Sequence, residues 1–185
     1  TETIKTIAER NGVEMYDVYT GFKWIANVMR ENEGKKNYIG GGEESYGFLC
    51  EDFVRDKDAV SACVILAEIA AWAKDQGLSL YQLLQKIYVE YGFSKEKGIS
   101  VVKKGKSGAE EIEAMMKKFR ENPLTEIAGS KVTYFYDYST LKGKDYAENE
   151  TVTLDMPTTS NVLQYFTEDN TKVSIRPSGT EPKIK

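Results

Sequence analysis

The segment from Ala59 to Ala73 constrains the fold most, because it is apolar on almost every side of a helix. Only Ser61 and Glu68 interrupt it. It is shorter than the roughly 20 residues that a membrane-spanning helix needs. The pattern therefore predicts a buried helix whose two sides are both covered. Asp58 can cap its N-terminus, and Gly77 marks its end.

The rest of the first half alternates between helix and strand signals. Ser79 and Gln82 form a capping box that opens a second helix. Before the apolar helix, the pattern predicts a helix at 4–8, a strand at 13–19, a helix at 22–29 and a short strand at 38–39. This order is typical of part of a parallel α/β sheet.

The second half changes to strand-like alternation after a linker at 95–98. Ser107 and Glu110 suggest another capping box, which opens a helix with apolar spacing up to Phe119. Strands are predicted at 131–138, 151–156, 161–166 and 171–175. We therefore expect an α/β domain over 1–97 and a small α+β domain with an antiparallel sheet over 98–185.

Composition excludes several kinds of chemistry. The 185 residues contain no histidine, which removes Ser-His-Asp catalysis and His-ligated zinc. Cys50 and Cys63 are too few for a disulfide framework, so a reduced, cytoplasmic setting is expected. Because 25 basic and 29 acidic residues give a net charge of −4, nucleic acid is not an expected partner. A membrane is not expected either, because the most apolar stretch is too short to span it. Tyr134, Tyr136 and Tyr138 alternate as on one strand face, and their RNA-platform interpretation is disfavoured by the same net charge.

The C-terminal stretch combines residue types that bind phosphate. A guanidinium can donate two parallel hydrogen bonds to a phosphate, hydroxyls can add further ones, and glycine allows backbone N–H groups to approach. The candidates are Arg176, Ser178, Gly179, Thr180 and Lys183. From the residues alone, a phosphate loop and a polar surface turn are equally open.

A second candidate is the sequence Gly-Gly-Glu-Glu-Ser-Tyr-Gly at 41–47. Its carboxylates and hydroxyl, with Glu43 and Ser45 as candidates, suit the neighbouring hydroxyls of a sugar. A hard-metal site and an acidic turn are alternatives, and the turn is favoured from the stretch alone.

Two shorter candidates lie at predicted helix starts. Lys57, in Arg-Asp-Lys-Asp at 55–58, could donate a proton or stabilise charge, although a solvated helix N-terminus is the simpler interpretation. Thr20 and Gly21, in Thr-Gly-Phe-Lys at 20–23, lie at a strand-to-helix turn that could bind a ligand or merely cap the helix.

These four stretches, in this order, resemble the active-site segments of the α-D-phosphohexomutase family, and the likeness is greatest to its phosphoglucomutases. The resemblance implies a four-domain enzyme more than twice as long as this chain. The chain would then contain part of the third α/β domain and most of a C-terminal domain with a TATA-binding-protein-like fold. The family's phosphoserine loop, of Thr-Ala-Ser-His-Asn-Pro type, and its Asp-Gly-Asp-Gly-Asp magnesium loop are not among the 185 residues. We therefore expect an inactive, substrate-binding fragment whose partners include the missing N-terminal domains.

The resemblance further implies reversible phosphate transfer between C1 and C6 of a hexose, with Mg²⁺ and a bisphosphate such as glucose 1,6-bisphosphate. Glu43 and Ser45 would bind ring hydroxyls, and Thr20 and Gly21 would touch the sugar or its phosphate. Lys57 would act as acid/base or charge stabiliser. The non-reacting phosphate would be held by Arg176, Ser178, Gly179 and Thr180, with Lys183 as a weaker contact.

One position departs from some relatives. Certain phosphomannomutase and phosphoglucosamine mutase relatives have a histidine two residues after the loop serine, where this chain has Gly47. A mutase for phosphomannose, phosphoglucosamine or phosphopentose, and a stand-alone sugar-phosphate-binding module, are the alternatives to a phosphoglucomutase.

Overall fold

The computed structural model describes residues 2–44, 46–179 and 181–185. The chain divides into two compact units, Thr1–Glu96 and Lys97–Lys185, which are called unit 1 and unit 2 below. The predicted fold class, an α/β part followed by an α+β part with an antiparallel sheet, is confirmed.

The described residues of unit 1 form four helices and one β-hairpin. These elements are α1 (Glu2–Arg10), α2 (Phe22–Glu31), β1 (Gly40–Glu43), β2 (Gly47–Cys50), α3 (Ala59–Asp75) and α4 (Leu80–Tyr91). The expectations of a strand at 13–19 and of parallel pairing are wrong. No described strand lies beside 13–19 to complete a ladder, and the short turn between β1 and β2 imposes antiparallel pairing.

Local capping signals place α3 and α4 where the sequence predicts them. The Asp58 carboxylate accepts a hydrogen bond from the Ser61 N–H at 2.7 Å. Ser79 and Gln82 form a complete capping box, in which each side chain bonds the other residue's backbone N–H. Because these caps involve residues three apart in the chain, they are readable without knowledge of the fold.

The apolar surface of α3 is only partly covered. Val60, Val64 and Trp72 keep between 54% and 74% of their surface exposed. The expectation that both sides of this helix are covered is thus not met within the described residues, where β2 and α4 pack on it. Among those residues, no helix is long and apolar enough to cross a membrane.

The core of unit 1 forms where α2 packs on the hairpin. Phe22, Met29 and Leu49 are buried, and Ile25 and Tyr38 pack against them. The Tyr38 hydroxyl donates to the Leu49 carbonyl at 3.2 Å, and burial raises the pKa of Tyr38 to about 12. This packing fixes the start of α2 against β1 and β2.

The described residues of unit 2 form one helix and strands that pair antiparallel. These elements are β3 (Val101–Val102), α5 (Gly105–Glu121), β4 (Glu126–Ile127), β5 (Ser130–Asp137), β6 (Lys142–Asp145), β7 (Glu150–Thr153), β8 (Leu163–Thr167), β9 (Lys172–Ile175) and β10 (Lys183–Ile184). The main sheet has the order β7-β6-β5-β8-β9, and β4 pairs with β5. β8 lies between β5 and β9. Its Leu163 and Tyr165 are fully buried, in a cluster that includes Ile112 and Met116 of α5.

The helix α5 begins earlier than its sequence suggests. Lys104 is its N-cap and makes no side-chain capping bond, so the predicted Ser107–Glu110 capping box is wrong. β3 pairs with β10, and the Lys103 N–H extends this ladder by donating to the Pro182 carbonyl at 2.8 Å. This pairing holds residues 101–103 in an extended conformation, and α5 begins two residues later at Gly105.

The turn between β8 and β9 gives unit 2 a pH-dependent component of stability. The Asp169 carboxylate accepts hydrogen bonds from the Thr167 hydroxyl at 2.5 Å and the Thr171 N–H at 3.1 Å. These bonds, with that of Thr167 as the largest cause, lower the pKa of Asp169. A lowered folded-state pKa gives stability above the unfolded pKa of about 3.9, and this stability is lost as pH falls through the folded value.

We therefore expect Asp169→Asn to destabilise unit 2 at pH 7. The difference in urea midpoint between wild type and variant should shrink as the pH falls from 5 to 2. Urea midpoints read from the NMR amide signals of unit 2 measure this. Asp155→Asn removes an exposed carboxylate of the same unit and is the control. A wild-type-minus-variant difference that is the same at pH 5 and pH 2 would contradict the assignment.

Candidate functional site

A nearly buried carboxylate is the centre of the candidate site in unit 1. Glu43 is the last residue of β1 and pairs with Gly47 across the hairpin. Its side chain is only 8% exposed. Because an ionised group is costly to remove from water unless it is paired, the partners of Glu43 define what this site is.

The first partner is the turn that precedes α2. The Gly21 N–H donates to Glu43 Oε2 at 3.0 Å. Gly21 has φ 120°, a conformation that side-chain-bearing residues rarely adopt. The Thr20 hydroxyl makes a longer bond, at 3.4 Å, to Glu44 Oε2. The predicted Thr20–Gly21 turn thus lies against the predicted sugar loop.

The second partner is Lys57, which precedes the cap of α3. Its Nζ donates to Glu43 Oε1 at 2.9 Å, while half of the lysine side chain stays exposed. The hydrogen bond to the Glu43 carboxylate is the main cause that raises the pKa of Lys57. The lysine is therefore protonated at neutral pH, beside a carboxylate that is fixed on both oxygens.

Three of the four sequence motifs thus meet within unit 1. We call Thr20, Gly21, Glu43, Glu44 and Lys57 the Glu43 cluster. The sequence pattern includes Glu44 among the carboxylates of the loop but does not mark it as a site residue. Ser45 lies outside the described residues, so its predicted contact with the sugar stays a prediction.

The predicted phosphate loop of unit 2 is a closed hairpin. Arg176 and Lys185 exchange backbone hydrogen bonds, with N···O distances of 3.0 and 2.9 Å, and the Ser178 N–H donates to the Lys183 carbonyl at 2.8 Å. Ile184 is buried beneath it. Arg176 and Ser178 are half-buried and Gly179 is exposed. Thr180 lies outside the described residues.

A cavity of about 430 Å³ adjoins this hairpin. Ser178 and Lys183 line it from the loop side, and Glu110 and Glu113 line it from α5. The lysine is ion-paired with Glu181, and this interaction lowers the pKa of the Glu181 carboxyl. Glu181 therefore already neutralises part of the charge of the Lys183 ammonium group. The sequence motif did not reveal this ion pair.

Glu181→Gln is expected to strengthen the binding of inorganic phosphate several-fold, because it removes the carboxylate that competes for Lys183. Titration followed by NMR chemical shifts of the loop measures the change. Glu150→Gln makes the same change of charge on β7, away from the loop, and is the control. Unchanged or weaker phosphate binding in Glu181→Gln would show that the ion pair does not restrain Lys183.

The chain has clear relatives. Residues 1–91 match the family model of phosphoglucomutase/phosphomannomutase, alpha/beta/alpha domain III. A phosphoglucomutase of Staphylococcus aureus (strain bovine RF122 / ET3-1) is 40% identical over 185 residues, which are 100% of this chain and 33% of that protein. A phosphoglucomutase of Staphylococcus haemolyticus is 37% identical over 181 residues, with 98% and 33% covered. The chain thus spans about a third of the length of these relatives.

A solved structure shows the same fold. It is the open form of the Paramecium exocytosis-sensitive phosphoprotein pp63/parafusin, a phosphoglucomutase. The TM-score is 0.60 at 20% identity, with 98% of this chain and 30% of that chain covered. The resemblance that the four motifs predicted is confirmed: residues 1–91 match domain III of the phosphoglucomutase/phosphomannomutase family, and the relatives that align over nearly the whole chain are phosphoglucomutases. The chain is thus phosphoglucomutase-like.

The described residues do not fit a metal site. Among them, no three His, Cys, Asp or Glu side chains come together as ligands for an ion. The alternative of a hard-metal site in the glycine-rich loop has no support there, since Glu43 is held by Gly21 and Lys57. None of the described residues is assigned to magnesium.

Proposed function

We propose that this chain is the sugar- and phosphate-binding part of a phosphoglucomutase, which interconverts glucose 1-phosphate and glucose 6-phosphate through a bisphosphate. The observation that carries the proposal is that two separate motifs, at Gly21 and Lys57, converge on the Glu43 carboxylate of a third. Such convergence is unnecessary for a surface turn, but it is needed for a preorganised site. A cytoplasmic location remains part of the proposal.

Glu43 is the proposed anchor for the sugar. An ionised carboxylate has about four acceptor positions, and Gly21 and Lys57 occupy two of them. The remaining positions can accept hydrogen bonds from two neighbouring ring hydroxyls. Because neighbouring hydroxyls look similar in both orientations of the ring, the same carboxylate can serve both halves of the reaction.

Lys57 is the proposed catalytic residue. Its ammonium group is protonated and held beside Glu43. It can therefore donate a hydrogen bond or a proton near the reacting oxygen, and can offset negative charge that develops there. It is poorly suited to remove a proton at neutral pH, because its raised pKa favours the charged form.

The hairpin of unit 2 is the proposed holder of the non-reacting phosphate. The Arg176 fork can bind two phosphate oxygens, and the Ser178 hydroxyl, Gly179 backbone and Lys183 ammonium can supply more donors. Binding energy gained there can be used to position the sugar. These groups recognise a dianion without contacting the ring, so they suit a phosphate at either end of the molecule.

In the proposed reaction, a phosphoserine transfers its phosphoryl group to the free hydroxyl of the sugar phosphate. The resulting bisphosphate reorients and returns its other phosphoryl group to the serine. The phosphoserine, the magnesium ion and the remaining domains would be supplied by parts of the enzyme outside these residues. The chain itself would bind the substrate and orient it.

Calorimetric titration of the chain with glucose 1-phosphate tests this proposal. We expect binding that is stronger than that of glucose or inorganic phosphate alone, and no turnover to glucose 6-phosphate. Mannose 1-phosphate and glucosamine 1-phosphate are the comparison ligands, and tighter binding of either would favour the corresponding mutase. Binding of none of these sugar phosphates would contradict the proposal that this chain binds the substrate.

A further inference from the structure

The Glu43 side chain occupies the space beside Gly47 in which a side chain at position 47 would lie. A Cβ atom added to Gly47 would meet Glu43 Oε1 at 2.6 Å, Cγ at 2.7 Å and Cδ at 3.0 Å. Real Cβ atoms essentially never come within 3.0 Å of another heavy atom in this way. All three close contacts belong to the one side chain that centres the cluster.

Other glycines of the hairpin are also confined, but by other groups: a Cβ at Gly41 would meet Tyr38 Oη at 2.6 Å, and one at Gly42 would meet the Gly47 carbonyl oxygen at 3.0 Å. Gly47 is the hairpin glycine whose added Cβ would meet Glu43. A Cβ at Gly40 would meet the Leu49 carbonyl oxygen at 3.4 Å, an ordinary contact distance. The conflict at Gly47 cannot be relieved easily by shifting the strands, because Glu43 and Gly47 are paired in a fixed register. The Glu43 side chain is the part that can move.

Movement of Glu43 has a definite cost for the cluster. Its two oxygens are held by the Gly21 N–H at 3.0 Å and by Lys57 Nζ at 2.9 Å. A displacement of the carboxylate by an ångström or more breaks at least one of these bonds. The lysine then loses the partner that holds it beside the carboxylate.

We propose that Gly47 is a positioning residue of the site, whose missing side chain lets the Glu43 carboxylate lie between Gly21 and Lys57. Its importance for sugar binding rests on the proposed function, whereas its effect on the geometry of Glu43 does not. The three atoms that a Cβ at Gly47 would meet first all belong to Glu43, so we expect Gly47 to act through Glu43. A substitution at Gly47 should therefore matter only while Glu43 is present.

A double-mutant cycle tests this. Gly47→Ala, Glu43→Ala and the double variant are compared with wild type, and Gly40→Ala is the matched control in the same hairpin. The first readout is the pH titration of the Lys57 side chain by NMR in the ligand-free chain. The second is the Kd for glucose 1-phosphate.

We expect Gly47→Ala to shift the Lys57 titration toward that of Glu43→Ala and to weaken binding about tenfold. In the Glu43→Ala background the same change should alter neither readout, and Gly40→Ala should leave the Lys57 titration unchanged. If Gly47→Ala unfolds the chain, the double variant should fold, because Glu43→Ala removes the conflicting atoms.

Equal effects of Gly47→Ala in both backgrounds would overturn the proposal, since they would show a role independent of Glu43. An unchanged Lys57 titration in Gly47→Ala would also overturn it, as would an unfolded double variant. If wild type fails to bind glucose 1-phosphate, the proposed function is contradicted, while the Lys57 titration still decides the role of Gly47.

Discussion

Arg176→Ala should weaken the binding of glucose 1-phosphate and of inorganic phosphate by about 10- to 100-fold. Hydrogen bonds to charged groups contribute about 1.5–3 kcal/mol, and each 1.4 kcal/mol is a factor of ten in Kd. Arg176 is the first residue of the hairpin and is tied to Lys185 through its backbone. Its substitution therefore removes the guanidinium without removing the bonds that close the loop.

Calorimetric titration measures this change, and two variants serve as comparisons. Lys172→Ala removes one positive charge from β9, just before the loop, and should have a small effect. Arg176→Lys keeps the charge but loses the planar fork, so it should fall between wild type and Arg176→Ala. Equal losses of phosphate affinity in Arg176→Ala and Lys172→Ala would show that Arg176 contributes only general electrostatic attraction.

Leu163→Ala should lower the free energy of unfolding of unit 2 by about 2–5 kcal/mol, the usual cost of emptying a fully buried leucine site. Leu163 is 0% exposed and lies in the cluster that includes Met116, Val132 and Ile184. It also pairs with Ile175, the residue before Arg176. The loss is thus expected to loosen the strand that carries the phosphate hairpin.

Urea unfolding followed by the NMR amide signals of unit 2 measures this loss. Ile99→Ala is the control, because Ile99 belongs to the same unit but is 64% exposed. It should change the free energy of unfolding by well under 1 kcal/mol. A loss below 1 kcal/mol in Leu163→Ala would mean that the core around β8 does not hold unit 2 together.

The parts of the fold that sequence predicts are those whose signals are local. The caps at Asp58 and Ser79 place α3 and α4 correctly because donor and acceptor lie three residues apart. β6 was not predicted, because Lys-Gly-Lys-Asp has no apolar alternation. It is a strand because β5 and β7 pair with it, and Tyr136 lies over Gly143, where it leaves no space for a side chain.

The same distinction applies to the candidate site. Each motif could be recognised from its own residues, but their meeting could not, since Glu43 bonds residues 22 and 14 positions away. Taken alone, the residues of the glycine-rich loop favour an acidic turn. Its strand conformation depends on the pairing of Glu43 with Gly47, and on tertiary contacts that composition does not encode.

The pairing of β3 with β10 has a consequence for protein engineering. Val101 lies opposite Ile184, and Ile184 is in turn bridged to Pro177 on its other side. Val101 and Ile184 are therefore neighbours in space, because β10 is both part of the phosphate hairpin and the partner of β3. Domains with adjacent ends tolerate circular permutation. Unit 2 could thus be reconnected from 185 to 101 and opened at the turn between β6 and β7, leaving the hairpin in an uninterrupted stretch of chain.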